Sequence, residues 1–180
     1  MTKTGSYLLI FMLAVASCGE EDTDKPSTPL PFFDLTGFIA ATVRDSQTMD
    51  VKKSVLVDRL TETKSIDSYK IWQDIKQFDA YDINRPALFD KYHIDSIIQG
   101  NLKEISYHPT EEDLKVRLLR VQYDQNRVTK IVIKTVFNSF LEDVFLDIEW
   151  VPQDGYEIHR SSDKLLGSTT SQVISVQQIK

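Results

Sequence analysis

The residue best suited to chemistry in this chain of 180 amino acids is its single cysteine, Cys18. A thiol can act as a nucleophile, a metal ligand, half of a disulfide or an attachment point for lipid. Because there is no second cysteine, no disulfide can form within the chain. Cys18 follows an unbroken apolar run, Tyr7 to Ala16, and then Ser17. These neighbours decide which chemistry to expect of the thiol.

The first seventeen residues have the three parts of a secretory signal peptide. Lys3 supplies positive charge, an apolar run follows, and the small residues Ala16 and Ser17 precede the cysteine. The apolar run is about half as long as the roughly 20 residues that a membrane-spanning helix needs. We therefore expect residues 1–17 to be a signal peptide, removed by cleavage between Ser17 and Cys18.

The segment Val15-Ala16-Ser17-Cys18 resembles the lipobox of bacterial lipoproteins. The resemblance implies that Cys18 carries lipid and that the mature protein has three acyl chains. One chain gives marginal membrane binding, whereas two or more anchor a protein stably. The acidic residues Glu20, Glu21 and Asp22 are similar to the surface-export signal of Bacteroidota lipoproteins. This second resemblance implies the outer membrane, with the protein facing the cell exterior; the alternative is a periplasm-facing protein.

Residues 18–31 are acidic and then rich in proline, which predicts an extended, disordered tether. Loss of the signal peptide removes Lys3 and no acid, so 20 basic residues face 27 acidic ones and the formal charge becomes −7. Nucleic-acid phosphates and anionic lipid headgroups repel such a protein, so we expect no nucleic-acid partner. Residues 32–180 are the right length for one domain.

Few other residues suggest chemistry. His93 and Asp95 would lie on one face of a strand, a spacing that a metal site or a catalytic dyad could use, although a solvated polar face is more common. His159 lies beside Glu157 in the same way, and His108 precedes a proline in a predicted turn. The chain has no zinc-protease motif, glycine-rich phosphate loop or nucleophile elbow. We expect no catalytic residue, cofactor or metal ion, and so no enzyme.

A concentration of positive charge in one predicted hairpin could dock an acidic glycan or protein. The basic residues are Lys115, Arg117, Arg120, Arg127, Lys130 and Lys134. The following strand carries acids that would neutralise them side by side: Glu142, Asp143, Asp147 and Glu149. Neutralisation is the simpler interpretation of this pattern.

Helical spacing appears twice in the first half of the domain. Asp34 can cap a helix with apolar residues at Leu35, Phe38, Ile39 and Val43. A second helix is predicted to begin at Asp67 or Ser68 and to bury Ile71, Trp72, Ile75 and Phe78. The intervening segment, Met49 to Ile66, predicts a hairpin with its turn near Arg59 to Thr63. Asn84-Arg85-Pro86 predicts a short helical turn through Phe89, because proline suits the first turn.

From Tyr92 onward the chain predicts consecutive antiparallel strands. The predicted turns are Gln99-Gly100-Asn101, His108-Pro109, Asp124-Gln125-Asn126, Asn138-Ser139 and Pro152-Gln153-Asp154-Gly155. With Asn138-Ser139 as a two-residue tip, Lys134 would face Asp143 and Lys130 would face Asp147. The same register pairs Val132 with Phe145, Ile133 with Val144, Ile131 with Leu146, and Thr129 with Ile148.

One face of these strands would be apolar, with Val121 opposite Ile131, Leu119 opposite Ile133, and Tyr156 and Ile158 near Trp150 and Ile148. A sheet with one apolar face must be covered. We therefore expect an α+β domain, with N-terminal helices packed on one face of a curved antiparallel β-meander.

This arrangement, with Asp82-Ile83-Asn84-Arg85-Pro86-Ala87 before the strands, is similar to small uncharacterised lipoproteins of the Bacteroidota. Two functions stay open. One is a non-catalytic interaction module, anchored to the membrane through Cys18, that offers its sheet face or edge to an envelope protein or a surface polymer. The other is a carrier that holds a hydrophobic ligand between sheet and helices, an architecture that resembles lipoprotein-sorting carriers. A carrier needs an apolar cavity of about 300 Å³ or more.

Overall fold

A computed structural model describes residues 29–45 and 47–180 of the chain. The predicted signal peptide, the lipidation site at Cys18 and the export-like residues Glu20, Glu21 and Asp22 lie outside these ranges. Two α-helices occur in the described part, α1 (Leu35–Asp45) and α2 (Ile71–Ile75), together with 3-10 helices at Lys76–Tyr81 and Pro86–Leu88. The strands are β1 (Met49–Val57), β2 (Leu60–Tyr69), β3 (Tyr92–Gln99), β4 (Leu102–Pro109), β5 (Val116–Asp124), β6 (Arg127–Asn138), β7 (Glu142–Val151), β8 (Gly155–Lys164) and β9 (Thr170–Gln178).

The predicted α+β class is wrong, because the structure is mostly β. All nine strands form one antiparallel sheet in the order β2-β1-β9-β8-β7-β6-β5-β4-β3, and only 16% of the described chain is helical. Strand β9 pairs with both β8 and β1 and so joins the N-terminal hairpin to the later strands. The architecture is therefore a nine-stranded sheet that carries two short helices, rather than helices laid on a meander.

The first helix agrees with the prediction, whereas the second is shorter because β2 extends through Asp67 and Ser68, where that helix was expected to begin. Helix α2 has no side-chain cap and passes after five residues into a 3-10 helix. The cap at Asp34 is confirmed, since its Oδ1 accepts a 2.7 Å hydrogen bond from the Gly37 N–H. The short helical turn at Pro86 is also confirmed.

The predicted pairing register of the β6–β7 hairpin is wrong by four residues, and so is its predicted two-residue turn. Lys134 lies opposite Asp147 rather than Asp143, and Ile131 lies opposite Trp150 rather than Leu146. The turn is wider because Ser139 bonds to Glu142 through both its main-chain N–H and its hydroxyl. A shift by an even number of residues keeps every side chain on its predicted face, which is why the alternation of apolar residues could not exclude it.

The core lies between the sheet and the helices. Leu119, Val121, Ile131 and Ile133 are buried on the sheet side, with the cross-strand pairs predicted for β5 and β6. The aromatic rings of Phe38 and Phe78 pack on Trp150 at centroid distances of 5.4 and 6.0 Å, and Phe78 also meets Tyr156 at 5.7 Å. Aromatic side chains thus fill the middle of the domain.

Candidate binding edge

The β3–β4 hairpin forms one lateral edge of the sheet and is the strongest candidate for a functional site. Its turn lies within the predicted Gln99-Gly100-Asn101 but is only two residues, Gly100-Asn101, because Gln99 pairs with Leu102. Gly100 has φ +61°, a conformation that glycine adopts at little cost. Eight consecutive residue pairs join β3 to β4 without a bulge. The structure describes no strand on the other side of β3. This regular edge can therefore accept another strand.

The alternation of hydrogen bonds along the β3–β4 ladder determines which main-chain groups of β3 are free to bond to another strand. The Thr110 N–H donates to the Lys91 carbonyl at 2.8 Å, just before β3 begins. Hydrogen-bonded pairs alternate along an antiparallel ladder, so the odd-numbered residues of β3 bond to β4. The N–H and C=O groups of Ile94, Ser96 and Ile98 consequently point away from the sheet. Three residues with outward amides and carbonyls are available for pairing.

The side chains along this edge are unusually apolar for exposed positions. Ile94, Ile97, Ile98 and Leu102 are 52%, 57%, 69% and 58% exposed. Ile94 and Ile98 lie on the helix side of the sheet, because Ile94 pairs with Tyr107 and Tyr107 with the buried Leu119. Ile97 lies on the opposite face. An added strand would therefore meet apolar side chains on both faces.

A cleft of about 340 Å³ opens beside Ile97 and Leu102. Its lining also includes Glu104 and Gln122, which are joined by a 2.8 Å hydrogen bond from the Gln122 amide to the Glu104 carboxylate. The ladder between β5 and β6 shifts register after Gln122, where the Thr129 hydroxyl bonds to the Gln122 carbonyl at 3.2 Å. This irregularity lies beside the cleft, whose lining mixes apolar and polar side chains and could take one side chain of a bound partner.

Two of the three histidines lie at the same edge, whereas His159 lies in β8 with its Nε2 2.5 Å from the Glu157 carboxylate, as predicted. His93 and Asp95 share a face, as predicted, but the turn predicted at His108 is wrong because His108 lies within β4, opposite His93. The two imidazoles stack at 5.1 Å, and the Asp95 Oδ2 lies 3.5 and 3.7 Å from their Nε2 atoms. Across residues 29–45 and 47–180, no three His, Cys, Asp or Glu side chains are placed to hold a metal ion. The cluster supplies polar contacts at the edge.

The predicted basic hairpin is neutralised by its neighbours at several positions. Lys134 and Lys130 contact Asp147 and Glu149, each at 2.6 Å, and the Arg120 Nε lies 3.2 Å from Glu104. Lys115 instead lies over the rings of Tyr81 and Phe137. Because these cations have local partners, the hairpin is a weak candidate for docking an acidic polymer.

The sequence did not predict a polar cluster that lies on the β1–β2 side of the sheet, far from β3. The Asp74 Oδ2 accepts hydrogen bonds from the Tyr69 hydroxyl at 2.6 Å and the Tyr156 hydroxyl at 2.7 Å, and Lys53 donates to Tyr69 at 3.0 Å. Burial, and then the neighbouring Asp74 carboxylate, raises the pKa of both tyrosines. The phenols therefore stay protonated near neutral pH and join β1, β2, α2 and β8. Only the tertiary fold brings these residues together, so no local pattern could have indicated the cluster.

None of the helices described for residues 29–45 and 47–180 is long and apolar enough to cross a bilayer. Comparison of the chain with protein-family models and with curated proteins finds no match in either set. The site must therefore be interpreted from its own geometry.

Proposed function

We propose that this protein is a non-catalytic binding module, held on the outer membrane by lipid on Cys18, whose β3 edge receives a strand of another envelope protein. The observation that carries the proposal is the regular, apolar and unpaired edge, with three outward-facing residues at Ile94, Ser96 and Ile98. Main-chain hydrogen bonds supply affinity in strand addition, and pockets for alternate side chains supply specificity.

The chemistry of the edge specifies the partner. A strand beside β3 would place apolar side chains against Ile94 and Ile98 on one face and against Ile97 on the other. A larger side chain of that strand could enter the cleft beside Leu102, where the amide of Gln122 and the carboxylate of Glu104 offer polar contacts. An extended protein segment meets these requirements better than a nucleic acid or a charged polysaccharide.

The carrier alternative has less support. Phe38, Phe78, Trp150 and Tyr156 occupy the space between sheet and helices where a carrier would hold its ligand. A cleft of about 100 Å³ lies near Leu88 and Tyr92, below the roughly 300 Å³ of small-molecule pockets. Two clefts that exceed 300 Å³, of about 340 and 330 Å³, are lined by residues at the hairpin ends. We therefore favour the binding module.

Site-specific photo-crosslinking in the native cells tests the proposal. A photoreactive residue at Ile98 should yield a covalent adduct of defined mass, whereas the same residue at Thr63 in β2 should yield none. Ser96→Pro should abolish the adduct, because proline removes an outward N–H without breaking a bond to β4. Thr63→Pro is the matched control, because the N–H of Thr63 also points away from the sheet. The Asp58 N–H donates to the Ser171 carbonyl at 3.0 Å, so even-numbered residues of β1 bond to β9 and odd-numbered ones bond to the even-numbered residues of β2.

Three outcomes would contradict the proposal. Equal adducts at both edges would mean that β3 is not selective. An adduct that survives Ser96→Pro in a variant with unchanged thermal stability would mean that the partner contacts side chains rather than the main chain. An adduct twice the mass of the chain would identify a second copy, rather than another protein, as the occupant of β3.

A further inference from the structure

Three turns at one end of the sheet expose large apolar side chains. β1, β6 and β8 run in the same direction, so the turns that follow them lie at the same end. Phe140 and Leu141 follow β6, Leu165 and Leu166 follow β8, and Leu60 follows the turn after β1. Phe140, Leu166 and Leu60 are 87%, 88% and 81% exposed. We call these five residues the apolar tip.

The apolar tip is held together by main-chain bonds between neighbouring turns. The Leu165 N–H donates to the Leu141 carbonyl at 3.0 Å, and the Asp58 N–H donates to the Ser171 carbonyl at 3.0 Å. Residues 139–141 and 165–169 contain no ionisable side chain, whereas Asp58 and Arg59 directly precede Leu60 in the third turn. Large apolar side chains that stand exposed together at one end of a sheet make that end a candidate contact with a membrane or another protein.

The chain enters the domain at the same end. Phe32 packs edge-on against Tyr92 at 5.8 Å and against Tyr107 at 5.7 Å. Tyr92 is the first residue of β3, which begins at the end of the sheet where β6 finishes. The thirteen residues from Cys18 to Leu30 can span at most about 45 Å. An anchor at Cys18 therefore keeps the membrane within reach of the apolar tip.

We propose that the apolar tip is a second membrane contact, inserted at the boundary between the headgroups and acyl chains of the bilayer that holds Cys18. This inference rests on the proposed lipid anchor, which would raise the effective concentration of the tip at the membrane. The contact is apolar rather than electrostatic, because Asp143 and Asp163 lie beside the tip and the mature chain carries a charge of −7. Side chains that protrude singly suit a fluid apolar layer, whereas a protein partner would have to supply a separate pocket for each.

Depth-dependent quenching tests the contact. The full chain is processed in a bacterial host, purified in detergent and reconstituted into phosphatidylcholine vesicles that contain an acyl-chain quencher. A polarity-sensitive dye is attached to Leu166→Cys or, as the matched control, to Gln153→Cys in the turn at the opposite end of the sheet. The dye at position 166 should be blue-shifted and quenched several-fold more than the dye at position 153.

A second pair of variants controls for the dye itself. Phe140→Asp in the Leu166→Cys protein should remove most of the quenching, and Gln125→Asp at the far end should leave it unchanged. Phe140 is so exposed that its replacement is not expected to disturb the fold. Loss of quenching in Phe140→Asp alone supports insertion of the apolar tip.

The outcomes separate the apolar tip from the anchor. Vesicle-bound protein with equal, weak quenching at both positions would overturn the tip contact and leave the anchor standing. Processed protein that carries no lipid by mass spectrometry would refute the anchor, and quenching of the dye at position 166 in a Cys18→Ser background, where no second thiol is present, would still support the tip. Protein that neither floats with vesicles nor is quenched would refute both. A blue shift that follows protein concentration rather than lipid would assign the tip to self-association and overturn the proposal.

Discussion

The two edges of the sheet differ in how they meet solvent. Along β2 the exposed side chains include Glu62, Lys64 and Asp67, and its ladder with β1 shifts register between Met49 and Val51. Along β3 the ladder is regular, and Asp95 is the only Asp, Glu, Lys or Arg among eight residues that include three isoleucines. Charges and bulges are devices that keep edge strands from pairing with other chains. β2 has several charges and a register shift, whereas β3 has one charged residue, Asp95, and no register shift, so the fold protects one edge more than the other.

The protection of β2 is built into its backbone as well as its side chains. Ser68 adopts a positive φ of 53°, and its N–H donates to the Asp50 carboxylate at 2.9 Å. This local irregularity lies beside the register shift and bends the ladder out of the regular geometry that an incoming strand would need. The open edge therefore differs from the protected one in main-chain order and in polarity, and each difference can be tested.

The largest expected effect is on the free energy of unfolding, and it contrasts a buried residue of the sheet with an exposed residue of the β2 edge. Leu119, in β5, is fully buried. Leu119→Ala should lower the free energy of unfolding by about 2–5 kcal/mol through lost packing and a residual cavity. Leu60→Ala, at the start of β2, should change it by less than about 0.5 kcal/mol. Urea denaturation of both variants provides the measurement. Similar losses in the two would mean that the β2 margin is packed in solution.

The next effect compares tyrosines of the two edge strands at alkaline pH. Burial raises the pKa of Tyr92 from 10.0 to about 12, so its phenol ionises in the unfolded chain before it does in the folded one. This contribution to stability is complete below pH 10 and is lost between about pH 10 and 12. Tyr92→Phe should therefore make the fall in unfolding free energy over that range shallower. Tyr69→Phe should do so less, because Tyr69 is less buried.

Unfolding free energies measured in urea from pH 9 to 12 test this difference. A Tyr92→Phe protein whose pH dependence matches that of the parent chain would show that Tyr92 is not buried at the open edge.

The smallest effect tests the corrected register in the middle of the sheet. Lys134 and Asp147 form a 2.6 Å ion pair across β6 and β7, and both side chains are nearly half exposed. A double-mutant cycle with alanine should give a coupling of about 0.2–1 kcal/mol for this pair. The cycle for Lys134 and Asp143, the pair that the sequence suggested, should give none. A larger coupling of Lys134 to Asp143 would mean that the hairpin has the two-residue turn Asn138-Ser139 that the sequence predicted.

Local signals predicted local structure well. The cap at Asp34, the turn at Gly100 and the cross-strand pairs between β5 and β6 are all confirmed, because each depends on residues close in sequence or on strict alternation. The wide turn at Ser139 was not predicted because a shift of four residues keeps every side chain on the same face and still sets Lys134 opposite an aspartate. The fold class escaped it because β9 must pair with β1, more than 100 residues away, and no local pattern reports such a contact.

The candidate site was predictable only in part. The sequence placed His93 and Asp95 on one strand face, but it put His108 in a turn and gave no sign that β3 would end the sheet. An edge is a property of strand order, which depends on long-range pairing. The isoleucines of β3 would be ordinary core residues in a central strand.

Amide hydrogen exchange in the cross-linked complex tests the central claim most directly. If a strand adds to β3, the amides at positions 94, 96 and 98 should exchange more slowly, by about tenfold or more, than in the free chain that carries the same photoreactive residue. The amides of His93, Asp95 and Ile97 already bond to β4 and should change little, as should the outward amides of Thr61, Thr63 and Ser65 in β2. Protection at alternate residues of β3 is the predicted result. Unchanged exchange at Ile94, Ser96 and Ile98, or equal slowing along both edges, would contradict strand addition.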